Sequence, residues 1–439
     1  MLHKLSSHKR IAIIGWGAAW LMVAATLIEK WSSDEVHIFE KNNELWMKIR
    51  ISGWWRCNVT TWFFKKQDLQ YKYTRGRDFL SHAMGQFWPR KMLQRCESHG
   101  VPLKCEADMR VFPQSNKSTD IVNIFQKIIA SESCIVHFEE WVQSIEKKTS
   151  NEVLQNNIDT TNKENQTFIL TTNKETYEFN YVVITTGGNA YAHTGSSWDG
   201  YSLAQSLWHT LTPLWPSLNS FLVQEDWIKK CSGLSFQNAK LTPAKQPIMP
   251  DKSDQLIIKW PLLCTHFGIS WPVTFSYSSH IPYITINEQQ HHIVLFQPFA
   301  DRNEEWWNNW LTKNALEQSK KQLHTILHEE FTDRRIESFL DHHNFQWSIS
   351  IGNFPREDKK ALAKLLGHGI PLTLTARRPW DEFVTAWWVN TAEVNPKTME
   401  SKICSWLYFA GEVLNIDAVT GGFNFQACWA TGRCAWENI

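Results

Sequence analysis

A short apolar strand followed at once by two glycines one residue apart constrains this chain more than any other feature. Arg10-Ile11-Ala12-Ile13-Ile14 reads as a buried strand that runs into Gly15-Trp16-Gly17-Ala18-Ala19-Trp20. Residues 18–30 then read as a helix and Val36–Glu40 as a second strand, so the chain opens as a βαβ unit. With Trp20 read as glycine, the turn is G-x-G-x-x-G. In such a turn the first glycine makes the tight bend and the second lets the backbone approach a pyrophosphate. The N–H groups of the helix that starts at Ala18 and Ala19 meet the phosphate charge. Glu40, 25 residues after Gly15 and followed by Lys41, stands where an acid accepts from ribose hydroxyls.

Three further segments carry related chemistry. Ile51-Ser52-Gly53-Trp54-Trp55-Arg56-Cys57-Asn58 presents one cation and one amide. With glycine in place of the two tryptophans, its backbone is mobile enough to follow an extended phosphate or flavin. Arg56 reads either as a phosphate contact or as a surface salt bridge. Cys57 reads either as a cofactor neighbour or as a small buried packing residue, since no second cysteine lies near it. Val182-Val183-Ile184-Thr185 is a strand end running into Thr186, Gly187 and Gly188, as where a chain crosses a dinucleotide before leaving for another domain. Near the end, Leu407-Tyr408-Phe409-Ala410-Gly411-Glu412 delivers an acid from a strand, and Asp417 precedes Gly421-Gly422-Phe423-Asn424 at a helix start. An acid near a ribityl chain and paired glycines facing an isoalloxazine edge make the expected cofactor FAD and not NAD alone. No catalytic residue and no metal ligand is assigned.

Lys and Arg number 45 against 44 Asp and Glu, a formal charge of +1, which gives no electrostatic case for a nucleic-acid or membrane partner. The nine cysteines contain no C-x-x-C pair, which points to a reducing, cytoplasmic location. Lys4, Lys9 and Arg10 ahead of the apolar run Ile11–Ile28 imitate a signal peptide, but the run carries the nucleotide turn and leads into a second strand. The pairs His291-His292 and His342-His343 give no ligand pattern, whereas His266, in Cys264-Thr265-His266-Phe267-Gly268, reads either as a residue on the substrate side or as a surface or packing residue.

The βα rhythm is lost between about 195 and 375, where prolines cluster, and 303–341 is charged and helical. The expected fold is α/β: a Rossmann-like FAD-binding domain interrupted by a β-rich domain with a small helical subdomain. The boundaries are 1–192 for the first part of the FAD domain, 193–299 for the β-rich insertion and 300–343 for the helical part. Residues 344–375 return to the insertion, and 376–439 complete the FAD domain. Residues 76–99 and 119–133 are expected to be helical, and 148–166 to form a polar loop or hairpin tip.

Together these segments resemble the bile-acid reductase-like/aminoacetone oxidase-like family of bacterial FAD flavoproteins, of the two-dinucleotide-binding-domain type. The likeness is carried by IIGWGAAW, ISGWWRCN, CTHFGISWP, VTAWWVNTAEVNPKTMESK and LYFAGEVLNIDAVTGGFNFQACWATG, spread over nearly the whole chain. The resemblance implies an FAD fold with an inserted barrel-like domain, a helical lid, and NAD(P)H- or oxygen-linked redox chemistry. The chain departs from the family at Asn415, where Asp is usual, and at Ala418, where Gly is usual. The acid's role therefore falls to Glu412 or Asp417. The expected function is an FAD-dependent oxidoreductase. It passes a hydride through flavin N5 between NAD(P)H or an amine-like donor and an unsaturated organic acceptor or oxygen, with a small-molecule substrate. The alternative is a flavin- or nucleotide-binding protein without turnover, in a regulatory or interaction role.

Composition adds one anomaly. The chain has 25 tryptophans and 19 glycines, where a usual glycine share of about 7% would give roughly thirty. Trp16, Trp20, Trp46, Trp54, Trp55, Trp260, Trp271, Trp387, Trp388, Trp406 and Trp436 stand where the family pattern shows Gly; Trp429 stands where it tolerates Trp. An indole in a phosphate loop would occlude the pyrophosphate, and Trp20 is expected to push its helix off the sheet. One cause covers them all: UGA codons that the host reads as glycine, written here as tryptophan. If the tryptophans are real, the chain is a degenerate homologue.

Overall fold

The computed structural model describes residues 9–15, 17–29, 34–43, 47–129, 134–149, 166–190, 199–245, 256–331, 336–379, 382–386 and 388–439. Trp16, Trp46, Trp387 and most of the polar stretch 148–166 lie outside the described residues. The chain divides into two compact units, Met1–Trp215 with Val384–Ile439, and Pro216–Phe383.

The first unit is built on a parallel sheet of β1 (Arg10–Ile14), β2 (Glu35–Phe39), β3 (Cys134–His137), β4 (Tyr181–Ile184) and β5 (Leu407–Phe409), in the order β5-β4-β1-β2-β3. A parallel sheet is covered on both faces, so its apolar residues run on without alternating. Ile11 through Ile14 and Val182 through Ile184 are all buried. Helix α1 (Ala18–Glu29) is buried on every side from Ala18 to Leu27, as befits a helix held between layers. One neighbour is α2 (Phe423–Glu437), which approaches so closely that a Cβ on Gly432 would overlap the Ala19 carbonyl oxygen. Trp20 is wholly buried within α1, and α1 keeps this contact with α2 one residue away.

Two details of this unit differ from the sequence reading. The stretch 76–99 is broken at Trp88-Pro89 into Ser81–Gln86 and Pro89–Ser98, with Pro89 in a first helical turn, where its missing N–H costs nothing. Residues up to Trp215, assigned from the sequence to the insertion from 193 onward, fall in the first unit. The physical reason is the helix Asp199–Ser206, which seats Gly200 directly on the Thr186 side chain at the end of β4.

The second unit is a closed, six-stranded antiparallel barrel. Its strands run Phe221–Val223, Gly268–Ser270, Ile258–Thr265, Ser235–Pro243, His292–Gln297 and Ile370–Arg377 around the closure. Closure leaves no strand edge open to pairing with another chain. The last strand runs through Arg377, so 376–383 stays with the barrel and does not return to the first unit. Helices Glu304–Glu317, Leu323–Phe331 and Ile336–His342 occupy the region expected to be helical. A further helix, Arg356–His368, replaces the β-rich return expected there. Its signals were local: Pro355 before it, Glu357 and Asp358 in the first turn, and Leu362, Ala363 and Leu366 on one buried face.

Candidate functional site

The order of the parallel sheet reverses at β1: the chain builds β2 and β3 on one side, then returns to build β4 and β5 on the other. Ligands of open α/β sheets bind at the carboxyl ends of the strands beside such a reversal. Gly15, Glu40, Thr185–Gly188 and Gly411–Glu412 all lie just beyond strand ends.

Gly15 has φ +91°, and a Cβ there would lie 2.5 Å from Thr186 Cα. Its N–H donates to the Phe39 carbonyl at 3.1 Å, and the Thr185 hydroxyl donates to the Ile14 carbonyl at 3.0 Å. Both conformation and space therefore require glycine. Gly17 is different. Among the described residues other than its chain neighbours, a Cβ there would meet nothing nearer than the Thr185 carbonyl oxygen at 3.8 Å, so packing alone does not call for glycine. The space lies before the N-terminus of α1, whose Ala18 and Ala19 are buried small residues and whose dipole favours an anion.

Glu40 is buried, and burial pushes its carboxyl up to about 7 although the Asn42 N–H donates to Oε1 at 2.7 Å. The neighbouring Lys41 ammonium is directed to Asp199 at 3.3 Å. Across the sheet, Thr186 Oγ1 is buried with no hydrogen-bond partner among the described residues, and Gly187 has φ +73°. Beside Gly188 lies the carboxylate of Glu412, which is 3.6 Å from Lys48 Nζ. Lys48 was not singled out in the sequence. It stands in the helical turn that opens at Met47, and its ammonium is 3.6 Å from where a Cβ on Gly187 would be.

The two acids left open by the sequence have different surroundings. Asp417 is buried and engaged through both oxygens by Nε and Nη2 of Arg75, whereas Glu412 stays at the sheet's edge beside Lys48. Gly411 (φ +81°) lets the chain pass α1: a Cβ there would be 2.7 Å from Ala19 Cβ. Gly421 and Gly422, both with positive φ, precede α2. Asn424 closes that turn, accepting from the Ala418 N–H at 2.9 Å. Asn58 ties the turn to the second motif, since its amide oxygen accepts from the Gly422 N–H at 2.9 Å and its amide nitrogen donates to the Thr60 carbonyl. Arg56 takes the salt-bridge form, 2.5 Å from Glu106 with its guanidinium over the Phe112 ring at 3.9 Å. Cys57 is a buried packing residue whose thiol burial pushes up to about 12. Trp16 lies outside the described residues.

These features fit a dinucleotide: space at Gly17 before a helix N-terminus and a hydroxyl at Thr186 without a partner among the described residues, with a buried acid at Glu40 that accepts from the Asn42 N–H. All nine cysteines are free thiols. Among the described residues no helix is long and apolar enough to cross a membrane.

The HI0933-like protein Rossmann domain family matches residues 9–438. A 3-dehydro-bile acid delta(4,6)-reductase of Clostridium scindens is 24% identical over 438 residues, covering 97% of this chain and 98% of the relative. A ribosomal RNA dihydrouridine synthase of Haemophilus influenzae is 25% identical over 441 residues, covering 98% of each. A solved flavocytochrome c3 fumarate reductase matches 99% of this chain and 78% of its own at 12% identity, with a TM-score of 0.43.

Proposed function

The chain belongs to the HI0933-like protein Rossmann-domain family, an FAD-binding family, and from that premise we propose that it moves a hydride from NAD(P)H or an amine-like donor to an unsaturated organic acceptor or to oxygen. When bound, flavin supplies the hydride chemistry at N5, and the protein supplies position and electrostatics. The turn from Gly15 to Gly17 and the N-terminus of α1 would hold the pyrophosphate, and Glu40 would accept from the ribose hydroxyls. Lys48, Glu412 and Thr186 would orient the remainder where β4 and β5 end.

The observation that carries this reading is the pairing of Gly15 and Gly17. The fold requires the first to be glycine, while the second is left with free space that a cofactor would use. The two relatives' names, a bile-acid delta(4,6)-reductase and a dihydrouridine synthase, both describe hydrogenation of an unsaturated ring. The charge balance of +1 favours a small-molecule acceptor over RNA, and free thiols suit a reducing cytoplasm. The reading also keeps glycine at the tryptophans of the cofactor loops, as glycine decoded from UGA.

The test is anaerobic mixing of the host-made holoprotein with NADH, NADPH and a panel of amines. Bleaching of the flavin absorbance by one of these donors, followed by its return on adding an enone acceptor or oxygen, is expected. A bound flavin that no donor reduces would assign the chain to the class that binds without turnover.

A further inference from the structure

Five tryptophans hold backbone conformations that suit glycine. From them we infer that positions 54, 55, 208, 271 and 406 are glycine in the protein as its host makes it, while 227, 307 and 429 are true tryptophan. The inference rests on backbone geometry and shares with the flavin reading only the glycines of the cofactor loops.

Among the described residues, twelve non-glycine residues have positive φ, and five of them are tryptophans: Trp54 (+60°), Trp55 (+66°), Trp208 (+70°), Trp271 (+81°) and Trp406 (+69°). With 25 tryptophans in 439 residues, fewer than one in twelve is expected by share. A bulky side chain at positive φ is an outlier; Asn and Gly are the usual occupants.

Each position has its own local reason for glycine. Trp208 follows the helix Asp199–Ser206, where its N–H donates to the Gln205 carbonyl at 2.9 Å and the His209 N–H donates to the Ala204 carbonyl at 3.0 Å. That pair of bonds is the Schellman helix end, whose left-handed residue is usually glycine. The Trp208 side chain is 83% exposed and fills no core. Trp271, with φ +81° and ψ 179°, lies in a region that essentially only glycine enters, and it starts the helix Pro272–His280. Trp406 is the third residue of a turn closed by the Leu407 N–H on the Cys404 carbonyl at 3.3 Å, where positive φ calls for glycine. Trp54 and Trp55 follow Gly53 (φ +58°) in three successive left-handed residues, with indoles 84% and 61% exposed.

The other group sits in helices and packs its indoles against aromatic neighbours, although Nε1 of Trp227 and of Trp307 donates to nothing among the described residues. Trp429 is wholly buried, donates from Nε1 to the Val59 carbonyl at 2.8 Å and stacks on Phe125 at 5.6 Å. Trp307 is wholly buried in a helix beside Phe299, and Trp227 is buried edge-on to Phe339 at 5.2 Å. Trp208 lies outside every nucleotide motif and Trp271 lies in the second unit, so a cause confined to the cofactor site does not cover them. Reading of UGA as glycine covers all five.

The decisive experiment is peptide sequencing by mass spectrometry of the protein purified from its host, alongside the gene. Glycine is expected at 54, 55, 208, 271 and 406, with TGA codons, and tryptophan at 227, 307 and 429, with TGG codons. Tryptophan at 208 or 271, or glycine at 227, 307 or 429, overturns the inference. In recombinant protein written with literal tryptophan, W208G is expected to raise the unfolding midpoint; an unchanged or lower midpoint contradicts the conformational argument. Neither readout uses flavin binding or turnover, so each stands or falls apart from the proposed function.

Discussion

Asp417 and Arg75, 342 residues apart in sequence, form a two-pronged ion pair in which the carboxylate is closed off from solvent and the guanidinium keeps a small exposed edge. The strand pairing between Asp417 and Arg75 brings them together, so the pair fastens the chain's last segment to its first hundred residues. Removing the cation leaves a buried, uncompensated charge, which costs about 3–5 kcal/mol. Arg75→Ala is expected to lose stability on that scale in denaturant unfolding, and adding Asp417→Asn to recover part of it. A single variant as stable as the parent would contradict the assignment of Asp417 to structure.

Gly15 and Gly17 should respond differently to one methyl group. Gly15→Ala meets Thr186 Cα at 2.5 Å in a left-handed conformation, so both the melting temperature and cofactor retention should fall. Gly17→Ala has open space around it, so the apoprotein should melt within a degree or so of the parent, about 0.5 kcal/mol or less. Its flavin content after gel filtration should nevertheless drop several-fold. Full flavin content in Gly17→Ala would mean that the space before α1 is not where the pyrophosphate lies.

Glu40 gives a pH dependence of defined sign. Its carboxyl holds a proton up to about pH 7 in the folded chain, against an ordinary value of 4.5. Between those values the folded state binds more protons than the unfolded state, so its contribution to stability falls as pH rises and levels off above 7. Glu40→Gln removes that slope. The stability of the variant relative to the parent, measured on apoprotein, should therefore rise by about 3 kcal/mol from pH 4.5 to 7.5. Parallel pH profiles would show that Glu40 ionises normally.

The parts of this fold legible in the sequence are those whose signals are local. The βαβ opening is written in one apolar run, one glycine pair and one acid at fixed spacing, all within thirty-one residues from Arg10 to Glu40. Arg75 and Lys48 were not legible, because what makes each important is a carboxylate brought to it by closure of the whole unit. The boundary at 215/216 was not legible, because a proline cluster does not say which side the preceding helix packs on; Gly200 on Thr186 decides that. Trp208 has no signal in the sequence, which carries no φ; only the helix end around it shows what the position needs.

The central claim is that the turn at Gly15–Gly17, the acid Glu40 and the crossover at Thr186–Gly188 form a cradle for FAD. The most direct test is to denature the protein purified from its own host and to identify the released nucleotide by chromatography against FAD, FMN and nicotinamide standards. The account predicts FAD in amounts equimolar with the chain. Release of FMN, of a nicotinamide nucleotide, or of no nucleotide from protein confirmed as folded would contradict it.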